Sequence, residues 1–274
     1  MTLRTRNTIT RVFTLTTTFI SLGIILCLVV LWIHHSAVYN HIHFNSKTNL
    51  KSFCFQTNSG AATLSILLLM LYAPITGFFL FFNFEKTHSA EILYFTGFLL
   101  GCFFESARLL IPIFDLWNTH SALLITSTRI TFFGELFAIL CLLVIGINSS
   151  FLEPQDSAQT TLLLIIASLF LTMLLPVNTT LISVSMRVKT GFSKTIHIIR
   201  ILFIFSSFIC FYVTSKKIKS KELQKASVNF LIMSIGYIIE ISAASLFSSI
   251  LSFIVMCIFT LKFIKELHNY YIWK

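Results

Sequence analysis

Long apolar runs broken by short polar stretches set the rhythm of this chain. Ser65 to Asn83 and Thr161 to Val177 contain no charged residue at all. Runs of this kind meet the length needed to cross hydrocarbon, about 20 apolar residues at 1.5 Å rise each. Lipid offers no partner for backbone N–H and C=O groups, so the runs must be α-helical. The pattern places spans at 13–33, 61–83, 91–114, 121–147, 160–186 and 195–212, followed by one long apolar run over 228–264. Arg4, Arg6 and Arg11 precede the first run in the manner of a signal peptide. That run exceeds a usual h-region, however, and the Ser36-Ala37 neighbourhood makes a poor cleavage site, so an uncleaved first span is expected. The longest polar connection, His34 to Gly60, follows it.

The 228–264 run is too long for one straight helix across a hydrocarbon core roughly 30 Å thick. It reads either as one tilted span or as two short ones, 228–244 and 248–264, with a turn near Ser245 to Ser249. The distribution of lysine and arginine arbitrates, because positive charge concentrates on the cytoplasmic side. With a cytoplasmic N-terminus and two spans in the run, inside segments hold twelve basic residues and outside segments five. With a single span the count becomes nine against eight, which orients nothing. The expected fold is therefore an all-α polytopic bundle of eight spans in one domain, both termini cytoplasmic, with seven spans as the alternative. Against eight stands a turn without Gly, Pro or Asn, the residues that most readily reverse a chain.

Composition enters next. Of 274 residues, 56% are hydrophobic and 11% charged, where an ordinary soluble domain carries roughly a quarter charged residues. The formal charge of +10 suggests nucleic acid until it is mapped. Seventeen of the twenty basic residues lie outside or at the edges of the apolar runs. They read as topology determinants and as contacts to anionic headgroups on the cytoplasmic side, Lys216, Lys217, Lys219 and Lys221 foremost. No basic, aromatic-studded surface of the kind that binds nucleic acid is visible. Five cysteines fall in spans, leaving Cys54 alone in a loop, and there is no CxxC, so neither a disulfide framework nor a zinc ribbon follows.

Three carboxylates fall inside spans, Glu105, Glu135 and Glu240, and a charge at the bilayer centre costs about 2.5 to 3.5 kcal/mol unless it is paired or hydrated. Gly97, Gly101, Glu105 and Arg108 share a helical stripe about 80° wide at 100° per residue. Small residues mark where membrane helices approach closely. Thr131, Glu135 and Ala138 repeat the pattern, as do Gly236, Glu240 and Ala243, so all three glutamates are expected to face the bundle interior. Glu105 and Arg108, three apart, can pair within one helix. The cluster of Glu105, Arg108, Glu135 and Glu240 then reads either as a structural ion-pair set or as a proton or cation relay. Arg129, His197 and Arg200 lie near span ends, where the bland expectation is snorkelling to headgroups. Pro74 and Pro176 are expected to kink their helices. His34, His35, His41 and His43 are weak metal candidates without a carboxylate or cysteine at ligand spacing, and no cofactor is expected.

HExxH, GxSxG and the phosphate-binding GxxxxGK[ST] are absent. No lysine lies between Lys225 and Lys262, which removes a retinal Schiff base. The leading expectation is a non-enzymatic module of the cytoplasmic (inner) membrane, receptor-like or an assembly subunit, working with another membrane or cytoplasmic protein. A small proton- or cation-coupled transporter or channel is the second reading and a membrane enzyme the third.

Overall fold

The computed structural model describes residues 3–34, 59–85, 89, 91–114, 116, 122–149 and 157–272. Among them are eight helices long and apolar enough to cross a membrane. The helices are α1 (Leu3–His34), α2 (Ser59–Phe84), α3 (Glu91–Phe104), α4 (Ala122–Asn148), α5 (Ser157–Leu174), α6 (Ser193–Ile218), α7 (Lys221–Ser242) and α8 (Leu246–Ile272). α3 continues without a break through a 3-10 segment, Glu105–Leu109, and a last α-turn, Leu110–Ile113. The chain is a multi-pass integral membrane protein, and its outward apolar side chains, Phe19, Phe170 and Ile201 among them, meet the bilayer.

The run over 228–264 is two spans, α7 and α8. The reversal sits slightly earlier than expected, between Ser242 and Leu246. Ala243 takes an extended conformation, φ −62° and ψ 127°, which needs no glycine. Ser245 then accepts a backbone bond from Ser249 at 3.0 Å, starting α8 within three residues of the end of α7. Such a turn escapes a search for Gly, Pro and Asn because each residue in it has ordinary backbone angles.

A second departure is larger. The span expected over 160–186 ends at Leu174, and the chain turns into an antiparallel hairpin, β1 (Val177–Ile182) and β2 (Val188–Thr190). Pro176 therefore kinks no helix; it stands just past the end of α5. The residue before proline is pushed away from helical angles, so Leu175 is where helix gives way. The Pro176 carbonyl accepts from Gly191 N–H at 3.0 Å, closing the base of the hairpin. Pro74, by contrast, is carried inside α2.

α7 and α8 pack along each other most extensively, and α3 lies on α4, which in turn holds α6. α1 lies on α2 and α5 on α4, as flanking helices. A cluster of rings, Phe95 and Phe98 of α3, Phe211 of α6, Phe230 and Tyr237 of α7 and Phe263 of α8, fills the space between these helices. Close approaches follow the small residues. A Cβ on Gly101 would come within 2.5 Å of the Gly134 carbonyl, one on Gly97 within 2.7 Å of Cys141 Sγ, and one on Gly236 within 3.3 Å of the Ser252 carbonyl.

Gly146 allows the tightest of these contacts. A Cβ there would collide with the carbonyl of Ser207, whose hydroxyl donates to the Leu142 carbonyl across the α4–α6 interface. Backbone cannot step aside as a side chain can. Gly146→Ala is therefore expected to destabilise the protein by about 1–3 kcal/mol, the usual cost of overpacking, read as a lowered melting temperature in nonionic detergent.

Candidate functional site

Glu105 stands where α3 tightens into its 3-10 segment. A 3-10 helix has three residues per turn, so side chains at i and i+3 eclipse each other. Glu105 and Arg108 are thereby stacked, with Arg108 NH2 at 2.5 Å from Glu105 Oε2. An α-helix would have set them about 60° apart. Ser127 of α4 holds the segment in place by donating to the Ala107 carbonyl at 2.8 Å.

From this pair a chain of opposite charges crosses four elements. Arg187, on the hairpin, places NH2 at 3.2 Å from Glu105 Oε1 and at 3.0 Å from Glu135 Oε2. Arg200 of α6 contacts the other oxygen of Glu135. The order is Arg108, Glu105, Arg187, Glu135, Arg200, three guanidiniums against two carboxylates. Glu105 and Glu135 are 0% and 1% exposed, and Arg108 is 2% exposed. Glu135 sits roughly 20 Å along α4 from its first residue at 1.5 Å per residue, near the middle of that helix. Arg187 thus carries a hairpin's charge to the middle of α4.

Hydrogen bonds bind the turn of the hairpin to the same end of the bundle. Arg108 NH1 donates to the Ser185 carbonyl at 3.2 Å and to the Ile241 carbonyl, near the end of α7, at 3.3 Å. The turn closes with Ser183 N–H donating to the Arg187 carbonyl at 2.8 Å and Met186 N–H to the Ser183 carbonyl at 2.9 Å, and Met186 is fully buried at φ 54°. A two-stranded hairpin is marginal alone, and non-helical backbone at membrane depth persists only where protein or a cavity covers it. The two arginines and the buried side chains of Met186 and Val188 supply that cover.

A cavity of about 400 Å³ lies between the hairpin, α4, α6 and the end of α7. Arg187, Arg200, His197, Ser183, Ser185, Ser193 and Ser242 line it beside Phe132, Ile182 and Ile196.

Glu240 lies apart from the chain of charges. It is fully buried between α7 and α8, where one carboxylate oxygen accepts a short hydrogen bond from Ser252 and the other has no partner among the described residues. The four residues grouped in the sequence thus divide, with Glu105, Arg108 and Glu135 in one network and Glu240 among serines. Arg200 corrects the headgroup expectation, being 5% exposed and paired with Glu135. Arg129 remains exposed, with Met173 Sδ at 3.4 Å. Arg187, one of the five basic residues counted to the outside segments, reaches inward to both glutamates instead.

One signal for both arginines was present in the sequence. Three intramembrane carboxylates against a single mid-span cation, Arg108, left charge to be matched. Only distance along the chain hid the partners.

Lys216, Lys217, Lys219 and Lys221 are exposed around the α6–α7 turn, Lys216 lying 5.5 Å from the Tyr212 ring centroid. That turn belongs to the bundle end opposite the hairpin, where Arg6 donates to the Phe84 carbonyl at 2.5 Å and Tyr271 to Glu91 at 2.8 Å. His35, His41 and His43 lie outside the described residues, and His34 is the last residue of α1. Among the described residues no three His, Cys, Asp or Glu side chains converge as a metal set. No protein-family model matches this chain, and no curated protein matches it either.

Proposed function

We propose that this is a non-enzymatic, single-domain module of the cytoplasmic membrane, receptor-like or an assembly subunit, whose interior charges fix one arrangement of helices and hairpin. The observation that carries the reading is the unbroken alternation from Arg108 to Arg200. Buried ion pairs seldom add net stability over an apolar core, and their best-attested use is to specify one packing. Here the alternation joins parts distant in sequence and admits the hairpin in one position. Gly97, Gly101 and Gly236 act as the packing surfaces beside it.

A relay of protons or cations is the weaker reading. Glu105 and Glu135 are each already contacted by two guanidiniums, which leaves no unpaired carboxylate along that path to pass a cation on. The basic residues at the bundle end remote from the hairpin support cytoplasmic termini and contact of Lys216, Lys217, Lys219 and Lys221 with anionic headgroups. A partner protein in or below the membrane would receive any change of state.

Two measurements test the reading. Vesicles holding the purified protein and a pH-sensitive dye are expected to leak protons no faster than empty vesicles. Arg108→Ala is expected to lower the melting temperature in nonionic detergent, since it leaves Glu105 leaning on Arg187 alone. Proton flux that Glu105→Gln or Glu135→Gln abolishes would replace this reading with a transporter.

A further inference from the structure

The geometry points to the cavity under the hairpin as a binding site for a small oxyanion, a carboxylate or phosphate group, on Arg187 and Arg200. The inference rests on the receptor-like reading and names the chemistry of its ligand.

Three observations converge. The cavity lining contains two guanidiniums, an imidazole and several serine hydroxyls, and no carboxylate. Behind the lining, three arginines face two glutamates, so the network keeps one positive charge that no ion pair among the described residues cancels. Glu240, held by Ser252, lies outside ion-pair distance of all three. A charge left over in a low-dielectric interior is costly, and a singly charged anion beside Arg187 and Arg200 removes that cost. Arginine is suited to the task, since its planar fork matches carboxylate and phosphate oxygens.

The space agrees with the chemistry. About 400 Å³ lies at the small end of ligand pockets, roughly 300–1,000 Å³, so the occupant is a small anion or a single headgroup. Arg187 remains 18% exposed although its NH2 group serves both glutamates, and no described residue engages its NH1. Ser183, at the turn, is exposed, so the cavity is not sealed. Ser185, Ser193 and His197 supply further hydrogen-bonding groups.

The full chain in nonionic detergent, melted in sodium phosphate and in sodium chloride of equal ionic strength, provides the test. Phosphate near saturation is expected to raise the melting temperature by about 3 °C or more over chloride. Ser242→Phe, which fills the cavity and leaves every arginine in place, is expected to erase that difference. Lys265→Ala, at the opposite end of the bundle, is expected to keep it. Should Ser242→Phe fail to fold, Ser183→Leu at the cavity rim serves the same purpose. The same comparison in nanodiscs of phosphatidylcholine with and without phosphatidylglycerol identifies the source. Stabilisation by phosphatidylglycerol alone, lost in the filled variant, assigns the oxyanion to a lipid headgroup. Equal melting in phosphate and chloride, together with equal melting in the two lipid compositions, overturns the proposal. So does a phosphate effect that survives cavity filling. Either failure leaves the packing role standing, because the Arg108→Ala melt is measured without ligand.

Discussion

Arg187→Ala is expected to cost about 2 kcal/mol of stability or more, since a buried oxygen on each of two carboxylates loses its guanidinium contact at about 1 kcal/mol or more apiece. Arg187 is the middle link, in contact with Glu105 at 3.2 Å and Glu135 at 3.0 Å. Without it the network becomes two separate pairs, Arg108 with Glu105 and Arg200 with Glu135. Each carboxylate keeps a partner, but the hairpin loses its only ionic tie to the interior among the described residues. Equilibrium unfolding in detergent micelles would register the loss, and limited proteolysis between 177 and 190 would localise it. Wild-type stability with an uncut hairpin would mean that Arg187 is a bystander.

The second large effect belongs to Glu135 and Arg200. Glu135→Leu leaves Arg200 buried with no carboxylate, and Arg200→Leu leaves Glu135 with Arg187 alone. Breaking a buried pair from either side costs about 3–5 kcal/mol, whereas exchanging both members for apolar residues of similar volume is often neutral. The double variant Glu135→Leu with Arg200→Leu is therefore expected to be more stable than Glu135→Leu alone. It retains Arg108, Glu105 and Arg187, the same net charge as the complete network. Losses that simply add would show that the two side chains act independently, contrary to their direct contact.

Much of the bundle was legible because the bilayer imposes a simple rule on composition. Apolar length marks a span, and the asymmetry of lysine and arginine was enough to divide 228–264 into α7 and α8, although no turn residue announced the division. The rule failed at 175–190. Thr161 to Val177 carries no charged residue, and the chain carries helix only to Leu174. Apolarity shows what can sit in lipid but not which backbone shape it takes, and Pro176 decided that locally. For Arg200 the headgroup expectation misled, since proximity to a helix end says nothing about which side of the helix is covered.

Spans, their number and the placement of glutamates beside small residues are properties of one helix at a time, so local spacing and transfer from water to hydrocarbon determined them. The pairing of charges was decided by the tertiary structure alone. Glu105 and Arg187 are 82 residues apart, and their 3.2 Å contact exists only once α3, α4, α6 and the hairpin have converged. Electrostatic attraction falls with distance in space and is indifferent to distance along the chain. The sequence could show that the buried carboxylates needed partners, and folding chose which arginines they would be.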